Sequence, residues 1–183
     1  MAISEFAFQP RRWNNRFDDL QTVTGLFGSF SGATFTPAAC SAGFLCNKGD
    51  GIPAGGAYMV AAANGSAKLY ACNPTDVNRL SDASNTWAVG VETLGLGARA
   101  GVKAPFTEIK EGETYAFGPD NFSTLVDATT NKFATVVNGL LVGAAAAPES
   151  GWYFELDAEL GIDFFVEGNY NAFARYNLVA KHI

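Results

Sequence analysis

Apolar residues in this chain come in short runs that end at Gly, Asn, Asp or Pro, and no stretch sustains a helical or heptad period. Runs of strand composition are TVTGLFGSF (22–30), ATFTP (33–37), AYMVAAA (57–63), SAKLYACN (66–73) and NTWAVGVETL (85–94). In the last of these Trp87, Val89 and Val91 alternate with Thr86, Ala88 and Gly90. FTEIKEGETYAF (106–117) predicts two strands around Lys110–Glu113. KFATVV (132–137), LLVGAAAA (140–147), GWYFELDA (151–158), GIDFFVEG (161–168) and FARYNLVAKHI (173–183) complete the series. Short β-prone segments about ten residues apart, bounded by turn formers, predict a mainly β fold: an antiparallel β-sandwich or barrel-like domain.

Two Asn-Gly pairs sit between such runs, Asn64-Gly65 and Asn138-Gly139. A type I′ turn needs two positive φ angles, which Asn and Gly accept most readily, so each pair predicts a β-hairpin. Residues 37–56, rich in Gly, Ala and Pro, and residues 73–85 carry no period and read as long loops. TDVNRL within the second could form one turn of helix capped by Thr75. The best helix candidate elsewhere is short, near Arg16–Val23.

The N-terminus differs from the rest. Half of the arginines, Arg11, Arg12 and Arg16, stand in the first sixteen residues, among Phe6, Phe8, Trp13 and Phe17. Arg and aromatics anchor protein–protein contacts. Pro10 and Asn14-Asn15 oppose a continuous helix, so the segment reads as an extended arm. The division expected is an arm over residues 1–20 and a β-rich body over 21–183, with 151–183 as a candidate C-terminal extension of its sheet. The plain alternative is an N-terminal segment folded back over the chain's own core.

Charge supports a contact role for the arm. The chain carries −6, of which residues 1–16 contribute +2 and the remainder −8. An acidic body repels phosphate backbones, and three arginines make a poor nucleic-acid footprint. Charged residues are only 16% of the chain, which suits a protein that works assembled. No run of eighteen apolar residues predicts a membrane helix, and no basic segment followed by an apolar one predicts a secretory leader.

Candidate chemistry is thin. His182 is the only histidine and stands next to last, a poor place for a catalytic base. With Cys40, Cys46 and Cys72 it makes too small a ligand set for zinc; the thiols read as buried and reduced, with a Cys40–Cys46 bridge left open. GLGARAG (95–101) is one residue too long for a dinucleotide fingerprint, and Pro105 opposes the helix it needs. Glu155 and Asp157 would share a strand face opposite Phe154 and Leu156, and paired carboxylates can cleave glycosides. A solvated polar face explains them more simply, as it does Glu108, Glu111 and Glu113. Trp152, Tyr153, Phe154, Tyr170 and Tyr176 are candidate sugar platforms, or core aromatics. The chain reads as a non-enzyme without catalytic residues, metal or cofactor.

Residues 51–147 resemble phage capsid decoration (cement) proteins. The similarity lies in GIPAGGAYMVAAANGSAKLYAC, a β-hairpin opening, and in NTWAVGVETLGLGARAGVKAPF, a strand followed by an Ala/Gly-rich turn and a further strand. The resemblance implies a β-rich virion structural protein, made in a host cytoplasm and placed on the capsid surface. It would be a homo-oligomer, a trimer being favoured, that clamps neighbouring copies of the major capsid protein through its N-terminal arm. Phe6, Phe8, Arg11, Arg12, Trp13, Arg16 and Phe17 are then the partner-binding residues, with no role for nucleic acid or membrane. Two other readings stand beside it: a carbohydrate-binding fibre or adhesin module using Trp152 and Tyr153, and a small acidic-residue hydrolase using Glu155.

Overall fold

The structure is a computed structural model that describes residues 8–12, 22–51, 58–73, 97–98, 100–167 and 171–183. It is nearly all β, with a closed five-stranded barrel and a second sheet curled into a half-barrel. The barrel strands are β2 (Thr22–Ser31), β5 (Leu45–Gly51), β6 (Tyr58–Ala62), β7 (Leu69–Cys72) and β9 (Ala104–Glu108). They follow the order β2-β6-β5-β7-β9 and close by pairing β9 with β2. The β2–β6 contact is parallel and the other four are antiparallel. β3 (Thr34–Pro37) folds back on the outer half of β2, and β4 (Cys40–Ser41) pairs with β8 (Gly97–Ala98).

The half-barrel contains β1 (Phe8–Arg12), β10 (Thr114–Phe117), β11 (Phe122–Thr124), β12 (Phe133–Val137), β13 (Leu140–Ala144), β14 (Trp152–Leu156), β15 (Ile162–Glu167) and β16 (Asn171–His182). Its order is β1-β10-β16-β14-β12-β13-β11, with β15 also on β16. β14 and β16 therefore lie inside the sheet. The turn at 110–113 carries the chain from barrel to half-barrel, held by Gly112 N–H to the Ala180 carbonyl at 2.8 Å and Ala180 N–H to the Glu113 carbonyl at 2.9 Å.

Period-two alternation sorts the core into two clusters. Along β7, Tyr70 and Cys72 join Phe27, Cys46, Val60 and Phe106 inside the barrel. Leu69 and Ala71 point the other way, to Tyr115, Phe117, Phe154, Leu141 and Leu178 on the half-barrel's inner face. This strand is buried on both faces, so it reads as an unbroken apolar run rather than an alternating one. The barrel interior is narrow. A Cβ at Gly25 would stand 2.6 Å from the Phe106 ring.

The two Asn-Gly pairs fold differently. At Asn138-Gly139 both φ angles are positive, 49° and 79°, and Val137 faces Leu140 across the predicted type I′ hairpin. At Asn64-Gly65 only Gly65 is left-handed, at 78°. The flanking strands β6 and β7 form as expected but do not pair, because β5 lies between them. That hairpin expectation is corrected, as is the long loop over residues 37–56: β4 and β5 lie within it, and β5 is an internal barrel strand. Thr22 and Val23, at the end of the candidate helix, begin β2. Residues 16–21, 74–85 and the strand expected at 85–94 lie outside the described residues.

Candidate functional site

β1 brings part of the arm onto the chain's own sheet. It runs antiparallel to β10, with Phe8 opposite Phe117, Gln9 opposite Ala116, Pro10 opposite Tyr115 and Arg12 opposite Thr114. Phe8, Arg11 and Arg12 are thus residues of an edge strand, while Phe6, Trp13, Arg16 and Phe17 lie outside the described residues. The register shifts between Pro10 and Arg12. A proline without a donor and a local irregularity are what an edge position tolerates. Among the described residues β1 has no partner on its outer side. Such a backbone row can receive a strand from another molecule, and Pro10 limits how far that pairing can extend. The sheet's other end is β11, only three residues long and followed by the exposed Leu125.

A second contact element is a hairpin the sequence pattern did not single out. Beyond Phe27, β2 runs past the barrel wall and returns as β3, with Ser31 opposite Thr34. Gly32 has φ 59° at the first central position, where a type II′ turn requires a glycine. Phe30 is 47% exposed, and its ring lies 5.0 Å from that of Phe35. The signal was Gly32-Ala33 between Phe- and Thr-bearing runs, a weaker marker than Asn-Gly.

Among the described residues the carboxylates Glu155, Asp157 and Asp163 each meet separate structural partners. Glu155 keeps to the sheet surface and pairs with Lys181 at 3.4 Å. Asp157, expected on the same face, lies past the end of β14 and is buried. It accepts hydrogen bonds from the Thr114 hydroxyl and from the N–H groups of Glu159 and Leu160, each at 2.9 Å. It thereby fixes the turn into β15. Asp163 is held in a two-point pair by Arg175, at 2.9 Å from Nε and 2.8 Å from Nη2.

Glu108 and Glu113 are also buried, against the expectation of a solvated face. Glu108 follows Ala104 and Phe106 on the strand face that lines the barrel, so it closes one barrel end. Its Oε1 sits 2.6 Å from Lys68 Nζ, and that contact raises the lysine pKa. Nearby, Lys48 Nζ stands 4.3 Å above the centroid of Tyr58, a cation–π contact on the same end.

The three cysteines are free and buried in the barrel cluster, so the Cys40–Cys46 bridge left open above is not formed. Hydrogen bonding to Cys46, with burial, raises the pKa of Cys40, and hydrogen bonding to Cys40, with burial, raises that of Cys72. Neutral buried thiols are poor nucleophiles. Among the described residues no group of three or more His, Cys, Asp or Glu could hold a metal ion. His182 lies at the end of β16 against Trp152, ring centroids 5.0 Å apart.

The aromatic platform expected of a sugar binder is divided. Trp152 packs against the inner core cluster, while Tyr153 lies on the opposite strand face, 6.2 Å from Phe133. Tyr176 is buried against Phe122 at 4.9 Å, and Tyr170 lies outside the described residues. Among the described residues no helix is long and apolar enough to cross a membrane. Comparison with protein-family models, curated proteins and solved structures finds no match to this chain.

Proposed function

We propose that this chain is a non-enzymatic virion structural protein that decorates and stabilises a phage capsid by binding neighbouring capsid subunits. The observation that carries the reading is the placement of the chain's most cationic segment. Arg11 and Arg12, on a chain of net charge −6, belong to the outermost strand of an open sheet. A strand in that position can extend its sheet onto a neighbour, with backbone hydrogen bonds supplying affinity and flanking side chains supplying register. The projecting β2–β3 hairpin, with Phe30 exposed, offers a second point of contact. Weak contacts repeated over a shell gain strength from multivalency, so neither element needs a large interface. The working form is a homo-oligomer, a trimer being favoured, on the capsid surface.

The test is capsid attachment. Deleting residues 1–17 should abolish co-sedimentation with shells and leave the body folded by circular dichroism. The double substitution Arg11→Ala and Arg12→Ala retains the strand and should weaken attachment, most at low salt and less at high salt, where screening already weakens the native contact. Full occupancy by the deletion variant would overturn the reading. So would mass spectrometry of purified virions that finds the chain in trace amounts rather than in hundreds of copies.

A further inference from the structure

The chain holds two Asn-Gly pairs in different conformations, and the difference bears on their chemistry. An asparagine followed by glycine can lose ammonia when the glycine nitrogen attacks its side-chain carbonyl carbon. Glycine favours this because no Cβ shields the nitrogen. The fold disarms one pair. Asn138 is held left-handed in a closed hairpin, and the Gly139 N–H donates to the Ala63 carbonyl at 2.8 Å. That nitrogen must give up a hydrogen bond, and the turn its geometry, before it can attack.

Among the described residues the other pair lacks these restraints on its glycine nitrogen. Asn64 is exposed and lies between two strands that do not pair with each other. Its Oδ1 accepts the Ser66 hydroxyl at 2.8 Å and the Ser66 N–H at 3.4 Å. The hydroxyl stands at the distance of an oxyanion-hole donor to the oxygen on which negative charge gathers when the carboxamide is attacked, and the N–H lies just outside that distance. Among the described residues no backbone carbonyl accepts from the Gly65 N–H.

We propose that Asn64 is a self-modifying site at which water is the only co-reactant. The Gly65 nitrogen bonds to Asn64 Cγ, the Cγ–Nδ2 bond breaks, and Nδ2 leaves as ammonia with the proton the Gly65 nitrogen gave up. The product is a succinimide ring. Water then opens it, on the Cγ side to aspartate or on the main-chain side to isoaspartate. The net change is one amide and one water converted to one carboxylic acid and one ammonia.

The position gives the reaction a structural readout. Residues 63–65 join the two halves of the molecule: Ala63 N–H donates to the Leu45 carbonyl at 3.0 Å, and Trp152 N–H donates to the Gly65 carbonyl at 2.8 Å. Isoaspartate inserts a methylene into that backbone, and either product adds a negative charge beside it.

The experiment is incubation of the full chain at mildly alkaline pH, followed by peptide mapping with mass and isoaspartate detection at both sites. Conversion at Asn64 should outrun conversion at Asn138 by several-fold. Ser66→Ala should slow Asn64 by about fivefold, the rate equivalent of one ordinary hydrogen bond. In concentrated urea the two sites should convert at similar rates, because the fold no longer distinguishes them. Equal rates in the native protein, or an unchanged rate in Ser66→Ala, would overturn the proposal. Preference for Asn64 that persists undiminished in urea would overturn it as well, by assigning the effect to local sequence.

Discussion

The barrel and the half-barrel solve the same problem in different ways. The barrel joins β9 to β2 and so leaves no edge, and its narrow interior takes small residues and thiols around Phe106 and Phe27. The half-barrel stops short of closure. Its inner face is filled by larger rings, with Phe117 meeting Phe154 at 5.5 Å and Phe122 at 6.5 Å, and it covers that face with the barrel's outer wall. Closure disposes of every backbone edge within the barrel, whereas the open sheet ends at β1 and β11. Among the described residues the unpaired sheet edges at β1 and β11 and the hairpin that exposes Phe30 therefore lie outside the closed circuit of the barrel.

The largest test of this division lies in the half-barrel core. Phe117→Ala should lower stability by about 4 kcal/mol in denaturant titration, since it empties a fully buried ring site between two other rings. A loss below about 1 kcal/mol would mean the open sheet does not depend on its aromatic filling.

Next comes the seam. Asn121 is buried, accepts the Gly118 N–H at 3.1 Å and donates to the Ala42 carbonyl at 2.7 Å, tying the turn after β10 to the loop before β5. Asn121→Ala leaves both groups without their partner and should cost about 2–3 kcal/mol. Hydrogen exchange should then rise at Gly118 and at the amides around Ala42 before it rises elsewhere.

Within the barrel, Gly25→Ala should cost about 2 kcal/mol by overpacking against Phe106. If it is neutral by thermal melting, the barrel is looser than its closed hydrogen-bond circuit implies.

The smallest effect is electrostatic. The Thr130 hydroxyl, then the Thr130 N–H and the hydroxyl and N–H of Thr129, hold the exposed Asp127 carboxyl well below the ordinary value of 3.8. A carboxyl lowered on folding adds stability that is present above its unfolded pKa and lost as pH falls through the folded one. Carbon-detected NMR titration should find Asp127 still ionised where an aspartate of ordinary pKa is half protonated, and Thr130→Val should move it back toward that ordinary value with little change in melting temperature.

Most strand positions were legible because β composition and turn residues are local signals. Asn138-Gly139 announced both its turn and its pairing. Asn64-Gly65 marked the connection between β6 and β7 but not their separation, since no property of residues 57–73 reports that β5 will enter between them. β5 itself was hidden. Leu45 and Cys46 are buried on opposite faces, and Lys48 to Gly51 depart from regular register, so the segment shows neither alternation nor a clean apolar run. Asp157 was misplaced for a related reason: alternation predicts a face only while the strand lasts, and β14 ends one residue earlier. The Arg and aromatic content of the arm was plain in the sequence. Its strand pairing was not, because Pro10 argues against a strand unless the strand is known to lie at an edge.

The closing pair of the barrel also sets an order of assembly. Thr22 meets Thr107, so β2 waits for a strand encoded far down the chain, while β6 and β7 emerge side by side with only a short connection between them. Pairing of such distant segments is slow, because the loop entropy is lost before the contacts are gained. During synthesis β5 emerges ahead of β6 and β7, so it can pair with β6 before β7 is made, and the circuit then waits for β9 to close it. In pulsed hydrogen exchange during refolding, the β2 amides that face β9 should therefore gain protection after those of the β5–β6 ladder, which locates the slow step at the closure of the barrel.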